Sequence, residues 1–381
     1  MGKQEFVPLT PSVLEWAISQ SGYSPAELAR ELRIEQGDLA SWLEGTREPN
    51  LSQFRRLVKK LRRPSAVFLL PKPPPAQMPE VQYRKSLGTA RSKLNPVELR
   101  FLRQAGRLQR TLAWVIRESE RPRVSLPKLS ADQPSESAAS TTREILGVSL
   151  ESQQGWRDST EGFRRWRTAL EATGVLVFQF PMGKGACRGF SIWDGYAPVI
   201  AVNTWWNIEA RIFTLFHELG HLVTRTNSAC NTIWNLMENT AAGSVERWCE
   251  EYAASFLLPS AALRDFLGER FGWEDGLAVS DLSQVKAVAS QFKISLRATA
   301  MRLIEVGAAN WELFRQIPRV SDFKEDSIAR GRSRAKVRLE RYGPRSRDLL
   351  LGAVESNILE KHDLPDYLNM SSSDLDLYAD L

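Results

Sequence analysis

Two of the three histidines in this 381-residue chain lie four residues apart, in Phe213-Thr-Leu-Phe-His-Glu-Leu-Gly-His-Leu-Val223. No other stretch constrains the fold as strongly. Positions i and i+4 of a helix sit one above the other on the same face, so His217 and His221 share a face. Phe213, Leu215, Phe216, Leu219, Leu222 and Val223 give the same helix the apolar surface of a buried segment. A buried helix carrying two imidazoles and a carboxylate needs a partner for them, because unpaired polar groups are costly in an apolar interior. The pattern H-E-x-x-H answers that need with one zinc ion held by His217 and His221, and with Glu218 aimed at the reacting water as general base. Five residues also match by chance, so a third ligand has to be found elsewhere.

A source for it follows closely. Val245-Glu-Arg-Trp-Cys-Glu-Glu-Tyr-Ala-Ala-Ser-Phe-Leu-Leu-Pro259 reads as an amphipathic helix that stops before Pro259. Glu246 and Glu250 are again i, i+4, while Trp248, Cys249, Tyr252, Ala253 and Phe256 can pack. One carboxylate from this helix completes three protein ligands and leaves the fourth position for water. The other can orient a ligating imidazole by hydrogen bonding. Glu246 is expected as the ligand and Glu250 as the orienting group, with the reverse assignment open. A solvated helix glutamate is the commoner fate of either residue.

These two stretches resemble the ImmA/IrrE family of zinc metallopeptidases, in which two histidines and a glutamate from the next core helix hold the metal. The resemblance implies Zn2+ on His217, His221 and Glu246, and Glu218 as base. It also implies a zincin-like α+β domain and a specific, repressor-like protein as substrate. Members of the family often carry Asn where this chain has Glu250, which is a departure.

The rest of the composition is that of a globular protein, with 43% apolar types and 25% charged residues. The length predicts two or more domains. No apolar run is long enough to span a bilayer, and Met-Gly-Lys-Gln-Glu-Phe lacks a signal-peptide core. Cys187, Cys230 and Cys249 are odd in number and irregularly spaced. That speaks against a disulfide framework and for the cytoplasm. A formal charge of +6 permits nucleic-acid contact without requiring it.

Residues 8–63 read as four or five short helices. Ser24-Pro25 supplies an N-cap followed by proline at the first helical position. Two helices joined by a short turn, followed by Trp42-Leu-Glu-Gly-x-x-x-Pro49, resemble a Cro/cI-type helix-turn-helix domain. The second helix would present Gln36 and Ser41 to base edges, beside Glu35, Asp38 and Glu44. Acidic neighbours are repelled by a phosphate duplex, and ten Lys/Arg against eight Asp/Glu over residues 1–63 leave only a small positive excess. DNA reading and protein contact through the same fold, including homodimer formation, both remain open.

A proline-rich linker, Phe68-Leu-Leu-Pro-Lys-Pro-Pro-Pro75, is expected to be extended. A long helix from Asn95-Pro96 to about Glu118 follows, with Arg100, Arg103, Arg107 and Arg110 at helical spacing on one face. Nine basic residues against one acidic between Arg84 and Arg117 make this the most basic region. It is either a solvated face or a stripe for phosphate or an acidic partner. Residues 121–142 look like a loose connector, with the metallopeptidase domain beginning near Thr141.

Within that domain Val175–Phe180, Cys187–Trp193 and Pro198–Asn203 are three strand candidates preceding the histidine helix. Val199–Asn203 is expected near the sheet edge, where an extended peptide could add by main-chain pairing. Val285–Phe292 and Leu296–Val306 flank a second helix-turn-helix-like junction. Residues 311–349 are basic and partly helical, and His362 reads as a surface residue. From Asp366 on there are four Asp and no basic residue, a tail suited to a positive surface.

The sequence thus predicts a mainly α, multidomain protein. It comprises a helix-turn-helix domain (1–70), a linker with a basic helix and connector (71–140), a zincin-like metallopeptidase domain (141–310) and a C-terminal helical region (311–381). The leading function is zinc-dependent proteolysis of a regulatory protein. The competing classes are a DNA-binding regulator whose zinc site is structural or vestigial, and a toxin–antitoxin or defence component.

Overall fold

The computed structural model describes residues 5–74, 82–83, 95–226, 228–230, 241–279, 281–317, 333–368 and 370–380. The chain is mainly helical with a small mixed sheet, and it divides into two units, residues 1–79 with 91–104 and residues 80–90 with 105–381.

The first unit holds α1 (Pro11–Ser19), α2 (Pro25–Leu32), α3 (Gln36–Glu44) and α4 (Leu51–Leu61). Their boundaries are set by caps. Ser24 and Glu27 form a capping box on α2, and Asn50 with Gln53 does the same on α4. Arg33 turns left-handed after α2 (φ 56°), and Gly45 after α3 (φ 74°) lies where a Cβ would press on Pro11. Leu14, Leu28, Leu39, Trp42, Phe54, Leu57, Leu61 and Phe68 make the core. The expected linker therefore starts late. Phe68 is fully buried on a 3-10 turn over Ser65–Leu69 and meets Phe54 edge-on at 6.0 Å. Pro75, the last residue of the proline-rich segment, and residues 76–81 lie outside the described residues. Residues 96–104 of α5 (Pro96–Glu118) belong to this unit, and residues 105–118 to the second.

The second unit is built around a sheet with strand order β1-β5-β3-β4-β2. These are β1 (Gln82–Tyr83), β2 (Leu176–Phe180), β3 (Gly189–Ile192), β4 (Val199–Asn203) and β5 (Ser228–Cys230). β2 runs parallel to β4, and β3 runs antiparallel to both β4 and β5. The three sequence-predicted strands are β2, β3 and β4. The expectation that Val199–Asn203 lies at an edge is wrong, because β4 is bonded on both sides. Its five residues are all buried: Val199 to Val202 are apolar, as suits a sheet covered on both faces, and the Asn203 amide is satisfied by the Gly183 and Cys187 carbonyls.

Alternation along the strands separates those faces. Phe178 and Phe180 meet Tyr342 of the C-terminal region, at 5.9 and 6.2 Å between rings. Val177, Ile200 and Val202 face the main helical core. That core contains α6 (Ser135–Leu146), α7 (Leu150–Gln154), α8 (Ser159–Ala172), α9 (Ile208–Val223) and α10 (Ala241–Leu257). Trp166, Phe216 and Phe256 form its aromatic centre, with Phe216 and Phe256 stacked at 4.1 Å.

The expected loose connector is instead structural. Its C-terminal part is α6, and the expected domain start near Thr141 falls inside that helix. Ala138 and Ala139 are small enough to let α6 pack against α10, while the Thr142 hydroxyl is satisfied by the Ala138 carbonyl at 2.9 Å. The alanines, read as loop composition, serve here as close-packing residues, while Ser137 and Ser140 lie on the exposed face of the helix.

Beyond α10, α11 (Ser260–Phe271), α12 (Leu282–Phe292), α13 (Leu296–Glu305) and α14 (Trp311–Gln316) extend the helical layer. Lys293, left-handed at φ 58°, and the N-cap Ser295 make the predicted junction between α12 and α13. Residues 318–332 of the basic stretch lie outside the described residues. α15 (Arg334–Tyr342), α16 (Pro344–Glu355), α17 (Leu364–Leu368) and α18 (Ser372–Ala379) follow. The acidic tail docks mainly through apolar groups: Leu364, Leu368, Leu375 and Tyr378 are buried. Its charges serve at the rim, with Lys361 on Asp376 at 2.9 Å and Arg334 on Asp374 at 3.8 Å. No helix among the described residues is long and apolar enough to cross a membrane.

Candidate metal centre

α9 begins at Asn207, whose side chain accepts the Ala210 N–H, and runs unbroken to Val223. Its buried face carries His217, Glu218 and His221, at 4%, 0% and 2% exposure. Two glycines let other elements approach them. A Cβ on Gly220 would lie 3.0 Å from the Cys249 Sγ and 3.3 Å from its Cα. The absence of that atom seats α10 directly against α9. Glu246, one turn before Cys249, is thereby brought onto the histidines. On the sheet side, a Cβ on Gly189 would meet Ala201 O at 2.7 Å and Glu218 Cγ at 3.3 Å. Only glycine allows β3 to run this close beside Glu218.

The three donors converge. His217 Nε2 lies 3.2 Å from His221 Nε2 and 3.2 Å from Glu246 Oε2, and His221 Nε2 lies 3.4 Å from Glu246 Oε1. Tetrahedral ligands about 2.0–2.1 Å from a zinc ion stand about 3.3 Å from one another, so the donor set has the dimensions of a zinc cage. Neutral imidazoles presenting Nε2 lone pairs to each other at that distance would repel, and a cation between them removes the conflict. His217, His221 and Glu246 form a group able to hold a metal; Glu250 is not part of it.

The electrostatics follow from burial. Burial opposes the charge on His217, but the neighbouring Glu246, Glu218 and Glu250 carboxylates outweigh it and hold the imidazole above its usual value. Burial likewise disfavours the Glu246 anion, yet hydrogen bonds and charge from His217 and His221 keep its carboxyl far below the carboxylate range. Glu250 is pushed up to about 7, chiefly by burial, with His217 pulling it down and Glu246 pushing it up. The two glutamates of one helix face are thus differently placed. Glu246 is held as an anion by the imidazoles, whereas Glu250 sits behind it at higher basicity.

One contributor was missed in the sequence. Thr226 Oγ1 lies 2.9 Å from His221 Nδ1, and the Thr226 N–H bonds to the His221 carbonyl at 2.8 Å. With Nδ1–H donated to the hydroxyl, Nε2 is left as the lone-pair nitrogen facing Glu246. The turn that brings Thr226 back uses Arg225 at φ 60°. The Arg225 guanidinium lies 3.5 Å over the Trp193 ring and donates to Leu126 O at 3.0 Å. The available signal was a Thr-Arg-Thr run just past the helix end.

The other predicted residues do not gather at this site. Gln36 is exposed at the start of α3, and the Ser41 hydroxyl donates to Gly37 O within the helix at 2.9 Å. Asp38 pairs with Arg47 at 3.3 Å. The arginines of α5 are individually engaged: Arg100 lies over Phe101 at 4.3 Å, Arg103 donates to Gln20 O, and Arg107 donates to Asp366 O at 2.6 Å. Burial lowers Arg110, which neighbours Arg107. His362 is exposed.

Two buried imidazoles and a carboxylate beside a helix glutamate are a donor set able to hold a metal ion. Consistent with this, residues 170–304 match the M78 peptidase family model described as an IrrE N-terminal-like domain, which supports the ImmA/IrrE family for this part of the chain. The match spans β2 to α13, including both His217/His221 and Glu246. No curated protein matches the chain.

Proposed function

We propose that the second unit is a zinc-dependent endopeptidase that cleaves a specific regulatory protein of repressor-like type. The observation that carries this reading is the convergence of His217, His221 and Glu246 with spacings that fit a tetrahedral ion, on the same helix as Glu218. When bound, zinc would supply a Lewis acid for the scissile carbonyl and lower the pKa of water. Glu218 is the general base: its carboxylate takes the proton of the attacking water and returns it to the leaving amine. Its complete burial keeps bulk water from competing for that proton. Thr226 holds His221 in the ligating tautomer. The missing side chain at Gly189 lets β3 and α9 close together beside Glu218.

We read the first unit as a Cro/cI-type helix-turn-helix unit that acts in partner recognition. Ser41 and Asp38 are tied up locally, so α3 offers few groups to base edges. The test compares new protein N-termini in cells making the wild type or Glu218→Gln. The reading requires a small set of termini that depends on Glu218; identical sets in the two would contradict it.

A further inference from the structure

The first unit carries a cavity of about 340 Å³ between the C-terminal ends of α2 and α4 and the first turns of α5. We propose that it is a binding site for a small phosphorylated ligand of phosphomonoester or pyrophosphate chemistry. Six basic side chains line it: Arg56, Lys59, Lys60 and Arg62 from α4 and its end, and Arg100 and Arg103 from α5. Glu31 is the one carboxylate among the described lining residues, and it is already bonded to Lys60.

Several of these cations are positioned by the fold. Arg56 donates to Leu32 O at the end of α2 (2.8 Å), and Arg103 donates to Gln20 O just past α1. Arg63, which follows Arg62 but does not line the cavity, lies 4.6 Å over the Trp16 ring. Cations at helix C-termini are favourable in themselves, and that role covers Arg56 and Arg103 and, at the end of α4, Lys59, Lys60 and Arg62. It does not explain Arg100 in the first turns of α5, nor why all six converge on one cavity. Arg103 is lowered to about 10, first by burial and then by the like charges of Arg63 and Arg100. Packing cations this closely is unfavourable, and a multiply charged anion reverses the sign of the interaction.

The shape favours a small molecule over a duplex. The site is concave and of ligand size, and α3 contributes no residue to its lining. Guanidinium groups match phosphate oxygens in pairs, and ammonium groups add point charge. Leu61, Pro96, Val97 and the Tyr23 ring supply a less polar wall for the remainder of the ligand. The site is independent of the metal centre and of the peptidase reading.

The test is calorimetric titration of the full chain with sodium pyrophosphate in low salt, and with a duplex DNA of arbitrary sequence as competitor. Pyrophosphate should bind with a Kd below about 1 mM. The double variant Lys59→Gln/Arg62→Gln, which leaves both helix-end contacts in place, should weaken it at least about tenfold. If the double variant lowers Tm, Arg100→Gln takes its place with the same expectation. Absence of pyrophosphate binding at about 10 mM, or unchanged affinity in the variants, overturns the proposal. So does displacement by the duplex with loss of duplex affinity in the same variants, which would make the cavity part of a DNA contact.

Discussion

The metal centre and the cationic cavity both concentrate charge on helices, and they resolve it in opposite ways. At the metal centre Glu246 meets two imidazoles in a nearly dry interior, so donors and acceptor fix one another. In the cavity the lining charges are mainly of one sign, and Glu31, the one carboxylate among the described lining residues, pairs with Lys60. The first arrangement is ready for a cation, the second for an anion. Buried, opposed charges leave few alternative geometries, whereas a surface set is fixed only where a backbone carbonyl or an aromatic ring happens to hold it.

The sharpest way to break this contrast is at Glu218. Glu218→Gln keeps the size of the side chain and removes its basicity. Cleavage should fall about 10³-fold with zinc content unchanged, measured by turnover and elemental analysis. Loss of zinc in parallel would mean that Glu218 binds metal.

The two glutamates of α10 come next. Glu246→Ala should weaken zinc binding by more than about 100-fold in chelator competition, while Glu250→Ala should stay within about tenfold of the wild type. Reversed magnitudes would exchange their roles. A smaller effect is expected at Thr226. Thr226→Val preserves shape but removes the hydroxyl facing His221 Nδ1, and zinc affinity should drop about tenfold.

The smallest change tests the scaffold. Glu136 accepts from Ser260 N and Oγ at 2.7 and 2.9 Å and pairs with Arg302. Burial raises its pKa, but these hydrogen bonds and the Arg302 charge leave it below its ordinary value. A depressed carboxyl stabilises the fold above its unfolded pKa, and that contribution disappears as pH falls through the folded one. Glu136→Gln should therefore cost about 1 kcal/mol at neutral pH. The gap to wild type should narrow as pH falls through and below the ordinary carboxylate range, by denaturant titration across pH.

How much of this could be read from the chain depends on whether a residue's partner lay nearby in sequence. His217 and His221 announce themselves because one helical turn relates them, and Glu246 because its helix follows closely. Thr226 was overlooked because a left-handed residue at Arg225, invisible to periodicity, folds it back onto the histidine. The position of β4 was misjudged for a similar reason. Strand order is a long-range property: β4 is internal because β2, the first of the three predicted strands, pairs it on one flank while β3 pairs it on the other. The Ser/Ala-rich segment before residue 142 resembled a connector because small residues favour both loops and close helix contacts, and composition does not distinguish the two. In the first unit the cap at Ser24 was local and legible, while the capping box at Asn50 and the convergence of α2, α4 and α5 on one cavity were not read from the sequence.

The central claim is that His217, His221 and Glu246 jointly hold a divalent ion. Anomalous diffraction from crystals of the zinc-loaded protein, collected on either side of the zinc absorption edge, tests it directly. The account predicts one strong peak about 2.0–2.1 Å from both Nε2 atoms and a Glu246 oxygen. A peak ligated by Glu250 in place of Glu246, or no peak between the two histidines, would contradict it.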